Sequence, residues 1–180
     1  MKEAGIYIHF PFCKSRCCYC DFSTAAGCES LISPYCIQVA KEIELYARKY
    51  QNLFAIRTIY LGGGSPSYLP NEFIEKIIRT ITKSFFVPTD VEISIEANPA
   101  DITLEKSQRW KECGINRISV GMQSAQEKEL KMLGRRHSFE EVLQAVKNLR
   151  ECGWENFNLD LMFGLPQQSL VDWQDSIRKA

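Results

Sequence analysis

The chain has 180 residues, of which 45% are hydrophobic and 24% charged, and its 22 basic residues equal its 22 acidic residues in number. This length and composition predict one globular domain with a sizeable core, and the zero net charge argues against a large basic surface for nucleic acid. The first apolar stretch is too short for a signal peptide and no apolar run reaches membrane-spanning length, so we expect a cytoplasmic protein.

The first predicted strand, residues 6–10, leads into the segment Cys13-Lys14-Ser15-Arg16-Cys17-Cys18-Tyr19-Cys20. In a reducing compartment, cysteines are poorer disulfide candidates than metal ligands. Three thiolates spaced C-x3-C-x2-C can hold three corners of a cubane iron–sulfur cluster, which leaves the fourth iron open to a small molecule. Structural zinc is the alternative, but zinc prefers four closed ligands and Cys18 is an awkward neighbour of Cys17. The pattern favours a cluster on Cys13, Cys17 and Cys20.

Strand and helix patterns alternate along the rest of the chain. Further strands are predicted at residues 58–61, 91–96, 116–120 and 158–162. Helices are predicted after the cap Ser33-Pro34, over residues 73–81 and 103–113, after the capping boxes at Ser124 and Ser138, and after Ser169. Five βα units predict a parallel sheet, whereas a closed barrel needs about eight such units. We therefore expect an α/β fold, an open partial barrel over residues 1–180 that stops short of its natural end.

Polar residues follow each predicted strand at its carboxyl end, where parallel α/β folds place their working groups. The second strand runs into Gly62-Gly63-Gly64-Ser65, and the later strands end near Glu96, Gln123 and Asp160. The glycines would let backbone amides approach a ligand closely, although a glycine-rich turn can also serve packing alone. Parallel strands share one edge, so we expect these groups to converge on a single site with the cysteines.

Each of these polar residues also has a plainer interpretation. Glu96 can simply charge a helix N-terminus, and Gln123 can bond the backbone of its own loop. Asp160 lies in an otherwise apolar strand, where an unpaired carboxylate is costly, so we expect it to have a partner. Of the two histidines, His9 lies in a strand and is expected to be a hydrogen-bonded core residue, and His137 is expected to be a surface residue.

Six sequence blocks extend these observations across nearly the whole chain. The chain resembles the oxygen-independent coproporphyrinogen III oxidases and related heme chaperones of the radical S-adenosylmethionine (SAM) superfamily. The blocks that carry the resemblance are Tyr7-Ile8-His9-Phe10-Pro11-Phe12-Cys13, Gly62-Gly63-Gly64-Ser65-Pro66-Ser67, Glu96-Ala97-Asn98-Pro99, Asn116-Arg117-Ile118-Ser119-Val120-Gly121-Met122-Gln123, Leu133-Gly134-Arg135 and Asn158-Leu159-Asp160-Leu161-Met162-Phe163-Gly164-Leu165-Pro166. No single block is specific, but the six in order are.

The resemblance implies a [4Fe–4S] cluster on Cys13, Cys17 and Cys20, with SAM chelating the open iron. A flavodoxin- or ferredoxin-type donor would reduce the cluster. The reduced cluster would then pass an electron to the sulfonium of SAM and release a 5′-deoxyadenosyl radical. Tyr19 would stack on adenine. The family pattern places these residues around one or two SAM molecules: Tyr7, Gly63, Gly64, Ser65, Glu96, Gln123, Arg135 and Asp160. Ser65 stands where threonine is commoner, and the hydroxyl is kept.

One departure from the oxidase pattern bears on function. True coproporphyrinogen oxidases carry a further cysteine two residues past the third cluster ligand, whereas this chain has Phe22. The Cys-Asp-Phe ending resembles the heme-chaperone branch, so a heme carrier is favoured over a porphyrinogen decarboxylase, and enzymatic activity stays open. A radical-SAM enzyme acting on nucleic acid is disfavoured by the charge balance.

A second departure concerns length. Family members continue well beyond 180 residues, so the chain resembles an N-terminal fragment, and heme determinants would lie in the full-length protein. An uncovered sheet edge and apolar last helix would favour self-association.

Overall fold

The computed structural model describes all residues, Met1–Ala180. Its strands are β1 (Lys2–Phe10), β2 (Phe12–Cys13), β3 (Ala25–Ala26), β4 (Phe54–Gly63), β5 (Glu92–Ala97), β6 (Arg117–Gln123) and β7 (Phe157–Leu161). Its helices are α1 (Ile32–Tyr50), α2 (Asn71–Ser84), α3 (Leu104–Glu112), α4 (Glu127–Met132), α5 (Phe139–Glu151) and α6 (Leu170–Lys179). None of the helices combines the length and the apolar character that crossing a lipid bilayer requires.

The five long strands form one parallel sheet in the order β1-β4-β5-β6-β7, which confirms the predicted open barrel of five βα units. Each neighbouring pair is joined by a crossover that contains one of the helices, or two of them between β6 and β7. All carboxyl ends therefore meet at one edge of the sheet.

The two faces of the sheet differ in chemistry because side chains alternate along each strand. One face is apolar and packs beneath the helices, with Ile8, Ile59, Leu61, Ile95, Ile118 and Val120 in the buried core. The opposite face is largely polar, and contacts between neighbouring strands join Tyr7 to Tyr60, Tyr60 to Glu96 and Ser119 to Asp160. The polar face is the concave lining of the partial barrel.

Two helix starts differ from the prediction. A 3₁₀ turn over Glu29–Leu31 leads into α1, which begins at Ile32 without a side-chain cap, so Ser33 is not the N-cap. Pro34 is tolerated because the first four amides of a helix have no intrahelical acceptor. Ser124 does not cap α4 either, since its hydroxyl donates to the buried Glu129 carboxylate at 2.6 Å. The predicted caps at Ser138 and Ser169 are confirmed, each in a capping box.

Candidate functional site

The cysteine loop (residues 14–24) is tied to the sheet at both of its ends. β2 and β3 pair in parallel, with Phe12 opposite Ala25 and Cys13 opposite Ala26. The His9 Nε2 donates to the Ser23 carbonyl at 2.9 Å, which leaves Nδ1 to accept from the Tyr7 hydroxyl. His9 is thus hydrogen-bonded, as predicted, but it is only partly buried and not in the core. It anchors the end of the loop to β1.

The loop lies over the carboxyl ends of the strands and encloses a cavity of ≈ 250 Å³. All the residues expected to bind the cluster or SAM line this cavity, except Tyr7: Cys13, Cys17, Tyr19, Cys20, Gly63, Gly64, Ser65, Glu96, Gln123, Arg135 and Asp160. These residues come from the end of β2, the cysteine loop, the ends of β4, β5, β6 and β7, and the turn after α4. The convergence expected from parallel strand ends is therefore present.

Tyr7 lies outside the cavity, and its expected contact with SAM stays a prediction. Its hydroxyl is 2.9 Å from His9 Nδ1, and its ring stacks on Tyr60 with the centroids 6.0 Å apart. The ring lines a separate groove of ≈ 740 Å³ between β1 and α1. Because β1 is the edge strand of an open sheet, its side chains have solvent rather than a further strand beside them.

The three thiols of the C-x3-C-x2-C motif are close enough to influence one another. The pKa of Cys13 is raised to about 11, first by burial and then by the neighbouring Cys20 and Cys17, although Arg135 and Arg136 oppose the rise. A positively charged iron core would stabilise three such thiolates.

The spacing of the thiols bears on which metal they suit. A single zinc ion would hold its sulfur ligands about 3.8 Å apart, given Zn–S bonds of about 2.3 Å in a tetrahedron. No three His, Cys, Asp or Glu side chains are placed to hold one metal ion. Cys13, Cys17 and Cys20 nevertheless all line the same cavity.

The glycine run (residues 62–65) approaches the cysteine loop more closely than any side chain would allow. A Cβ on Gly64 would lie 2.9 Å from Cys13 Sγ, and Gly63 has a φ of +114° with the His9 ring 2.6 Å from where its Cβ would be. A side chain at position 64 would displace the segment that leads into the cysteine loop, and one at position 63 would collide with His9 on β1. Here the absence of a side chain serves close packing beside Cys13.

The amides of this run already have partners within the protein. Gly64 N donates to Phe10 O at 2.7 Å, and Ser65 N donates to Phe12 O at 2.9 Å. Gly63 N donates to a Glu96 carboxylate oxygen at 3.0 Å. These amides therefore hold β1, β2 and β5 to the end of β4, and the expected contacts of Gly63 and Gly64 with SAM stay a prediction.

Both carboxylates at the cavity are held by hydrogen bonds. Tyr60 Oη donates to Glu96 Oε1 at 2.8 Å. Asp160 accepts from Ser119 Oγ at 2.8 Å and from Asn158 Nδ2 at 2.7 Å, so the partner expected for Asp160 is present. Each carboxylate keeps further acceptor sites for a ligand, because an ionised carboxylate has about four.

The guanidinium of Arg135 lies beside the Cys17 thiol. Its Nη2 donates to the Gly121 carbonyl at 2.8 Å, while Nη1 lies 3.5 Å from Cys17 Sγ and 3.4 Å from the Tyr19 hydroxyl. Its Nε is buried without a hydrogen-bond partner. A carboxylate ligand would satisfy such a guanidinium better than these long contacts do.

Gln123 occupies a strained backbone position at the end of β6. Its φ of 67° is left-handed, which is uncommon for a residue other than glycine. The pairing of β6 with β7 shifts register between Val120 and Gln123, and the Gln123 carbonyl accepts from Met162 N at 2.9 Å. This irregularity aims the side-chain amide of Gln123 at the cavity.

Sequence reasoning missed several lining residues, notably Ser119 and Arg136. Arg136 pairs with Asp101, whose carboxylate also accepts from Ser67 Oγ at 2.8 Å. Ser119 could have been found from strand alternation, because it lies two residues before Gly121 on the same face. The ion pair across 35 residues has no local signal in the sequence.

The expectation that His137 lies at the surface is wrong. The side chain is buried, with 3% of its area exposed. Its Nε2 donates to the Met122 carbonyl at 3.1 Å. Burial, and then the charge of Arg135, lower its pKa to about 4. The polar neighbours of His137 suggested exposure, but the side chain turns inward beneath the end of β6.

The cavity therefore brings three thiols of the motif together with the guanidinium groups of Arg135 and Arg136 and with two carboxylates. A family model of the radical SAM superfamily matches residues 7–180. The chain belongs to the radical SAM superfamily. Membership implies a [4Fe–4S] cluster and SAM, and the three thiols with the adjoining cavity fit that pair.

Relatives within this superfamily are about twice as long as the chain. It is 38% identical over 186 residues to the heme chaperone HemW of Synechocystis sp., covering all of this chain and 44% of that protein. Identity to HemW of Bacillus subtilis is also 38%, over 182 residues and 47% of that protein. The chain spans about half the length of the curated relatives it matches.

A solved radical SAM structure shows the same fold. Coproporphyrinogen III oxidase (HemN) from Escherichia coli superposes with a TM-score of 0.89 at 24% identity, over 99% of this chain and 41% of that one. The likeness extends over the strands, the helices and the cysteine loop, and it supports the fold alone.

Proposed function

We propose that this protein is a heme-chaperone-like radical SAM protein, with residues 1–180 forming a radical SAM core domain. The observation that carries the proposal is the single cavity in which three loop cysteines meet Glu96, Gln123, Arg135 and Asp160. Four further cavities contain at most one cysteine each, Cys113 in one and Cys152 in another.

Within this proposal, Cys13, Cys17 and Cys20 hold a [4Fe–4S] cluster, which when reduced supplies one electron to the sulfonium of SAM. The Arg135 guanidinium binds the methionyl carboxylate, and Tyr19, whose hydroxyl lies 3.4 Å from Arg135 Nη1, stacks on adenine. Glu96 and Asp160 accept from the amine or from ribose hydroxyls. Of the glycine run, the Ser65 hydroxyl contributes contacts, because the neighbouring amides are engaged.

The cluster assignment is tested by anaerobic reconstitution and counting of iron and sulfide. About four irons and four sulfides per chain are expected. Alanine at Cys13, Cys17 or Cys20 should abolish the cluster, while Cys18→Ala, the matched control in the same loop, should retain it. Binding of one zinc ion per chain without uptake of iron would contradict the proposal.

The heme-carrier assignment is supported by the relatives that are named heme chaperones and by Phe22. Phe22 lines the cavity with 62% of its area exposed, and its ring offers neither a proton nor a metal ligand. We propose that heme is carried by the whole protein.

The second candidate is oxidative decarboxylation of coproporphyrinogen III to protoporphyrinogen IX, the activity of the oxidases whose sequence blocks the chain resembles. The two are separated by adding heme or coproporphyrinogen III to the cluster-loaded protein under anaerobic conditions, with Bacillus subtilis HemW as the reference. A Soret band that moves to an apo-acceptor supports the carrier. Protoporphyrinogen IX as product would favour the oxidase.

The setting of the protein is also a proposal. All eight cysteines are free thiols, which suits the cytoplasm and a reducing partner. We expect the electron to come from a flavodoxin- or ferredoxin-type donor. Reduction of the cluster by such a donor, followed at its visible absorption band, would test this.

A further inference from the structure

Two groups of β4, the strand next to β5, donate hydrogen bonds to the Glu96 carboxylate. Tyr60 Oη donates to Oε1 at 2.8 Å and Gly63 N donates to Oε2 at 3.0 Å. A glutamate side chain has three rotatable bonds, so two hydrogen bonds to different oxygens fix both its position and the plane of the carboxylate. Half of the acceptor sites of Glu96 remain for a ligand.

Tyr60 is itself fixed by packing on the concave face of the sheet. Its ring stacks on Tyr7 at 6.0 Å between centroids, with 27° between the ring planes. The pair exists because position 62 is glycine: a Cβ there would lie 2.7 Å from the Tyr60 ring and 3.0 Å from the Tyr7 ring. The absence of a side chain at Gly62 therefore allows this ring stacking, whereas at Gly63 and Gly64 it allows other close contacts.

The direction of the hydrogen bond between Tyr60 and Glu96 is settled by chemistry. Burial and the neighbouring Glu96 carboxylate raise the pKa of Tyr60, so the phenol keeps its proton at neutral pH. An ionised carboxylate only accepts, so the phenol donates. Tyr60 does not line the cavity, whereas Glu96 does. Any effect of the hydroxyl on a ligand in the cavity must therefore pass through Glu96.

We propose that Tyr60 is a positioning residue whose hydroxyl holds the Glu96 carboxylate in the orientation that binds SAM. This inference rests on the proposed function. A carboxylate that is already oriented loses no rotamer freedom when the ligand arrives, and it directs its free acceptor sites at the ligand's N–H or O–H donors.

The test is a double-mutant cycle of Tyr60→Phe and Glu96→Gln, with the dissociation constant of SAM measured by calorimetry on the cluster-loaded protein. Tyr60→Phe removes one oxygen atom and should weaken SAM binding about tenfold, as expected for the loss of one hydrogen bond to a charged group. Glu96→Gln should weaken it at least as much. The double variant should bind no more weakly than Glu96→Gln alone, because Tyr60 acts only through Glu96.

Tyr68→Phe is the matched control. The Tyr68 hydroxyl donates to Glu29 at 2.8 Å, a tyrosine–carboxylate bond outside the cavity, so this variant should leave SAM affinity unchanged. Additive losses in the double variant would show that Tyr60 acts structurally and would overturn the inference, as would an unchanged affinity in Tyr60→Phe. If Glu96→Gln also left the affinity unchanged, the proposed SAM contact of Glu96 would fail as well. Iron content and thermal melting of each variant confirm that the cluster and the fold are intact.

Discussion

His137 donates a hydrogen bond to the main-chain carbonyl of Met122 from inside the protein, 3.1 Å away. Met122 directly precedes Gln123, whose left-handed backbone aims its amide at the cavity. A buried neutral imidazole therefore supports the most strained backbone position of the candidate site.

This burial predicts an acid-sensitive fold. Between pH 6.5, the ordinary pKa of histidine, and about 4, its pKa in the folded protein, the unfolded chain binds a proton that the folded chain does not. The free energy of unfolding should therefore fall as the pH is lowered through this window, by up to about 3 kcal/mol from His137. In His137→Gln, which keeps a side-chain N–H donor, this part of the slope should vanish. Urea midpoints measured across the window check it, and equal slopes in the two proteins would contradict it.

Gly64→Ala should impair cluster assembly. The added Cβ would lie 2.9 Å from Cys13 Sγ and 2.8 Å from the Phe12 carbonyl, so the cysteine loop must shift. We expect at least a twofold loss of iron per chain after reconstitution. Gly27→Ala is the control, because it adds a methyl group at a φ of +70° with no atom within 4 Å. Equal iron content in both variants would show that the close approach at Gly64 is unimportant.

Arg135 should raise the reduction potential of the cluster. Its Nη1 lies 3.5 Å from Cys17 Sγ, and hydrogen bonds and positive charge near a cluster sulfur favour the reduced state. Without SAM, Arg135→Gln should lower the midpoint potential by about 60 mV, equivalent to a tenfold change for a one-electron couple. An anaerobic redox titration followed by electron paramagnetic resonance measures this. Arg150 lies on α5, far from the thiols. The control variant Arg150→Gln should therefore leave the reduction potential of the cluster unchanged.

The exposed apolar side chains near α6 predict self-association of this chain. Phe163, Leu170 and Val171 are 77%, 70% and 68% exposed, and Ile177 is 50% exposed. Exposed apolar side chains of this size promote contacts between molecules. Sedimentation velocity at increasing concentration should show dimers or larger species, and Leu170→Glu with Val171→Glu should reduce them. A concentration-independent monomer would contradict the prediction.

The sheet and most of the candidate site were predictable because their signals are local or repeat along the chain. Apolar strands alternate with capped helices, and parallel strands bring their ends to one edge, which is enough to join Glu96, Gln123 and Asp160 to the cysteines. The pairing of Arg136 with Asp101 and the inward turn of His137 depend on contacts across tens of residues. No periodicity in the sequence encodes such contacts. Nor does periodicity show that Tyr7 stacks on Tyr60 at the open edge of the sheet, outside the cavity.

The alternation of the strands assigns adjacent residues to different tasks. Glu96 faces the cavity while Ile95 is buried under the helices, and Ser119 and Val120 are divided in the same way. A substitution can therefore alter ligand recognition or global stability according to whether its position is odd or even along one strand. In laboratory evolution, the cavity-facing positions of β5, β6 and β7 form a library that can be diversified for new ligands, while the core beneath them keeps the barrel folded.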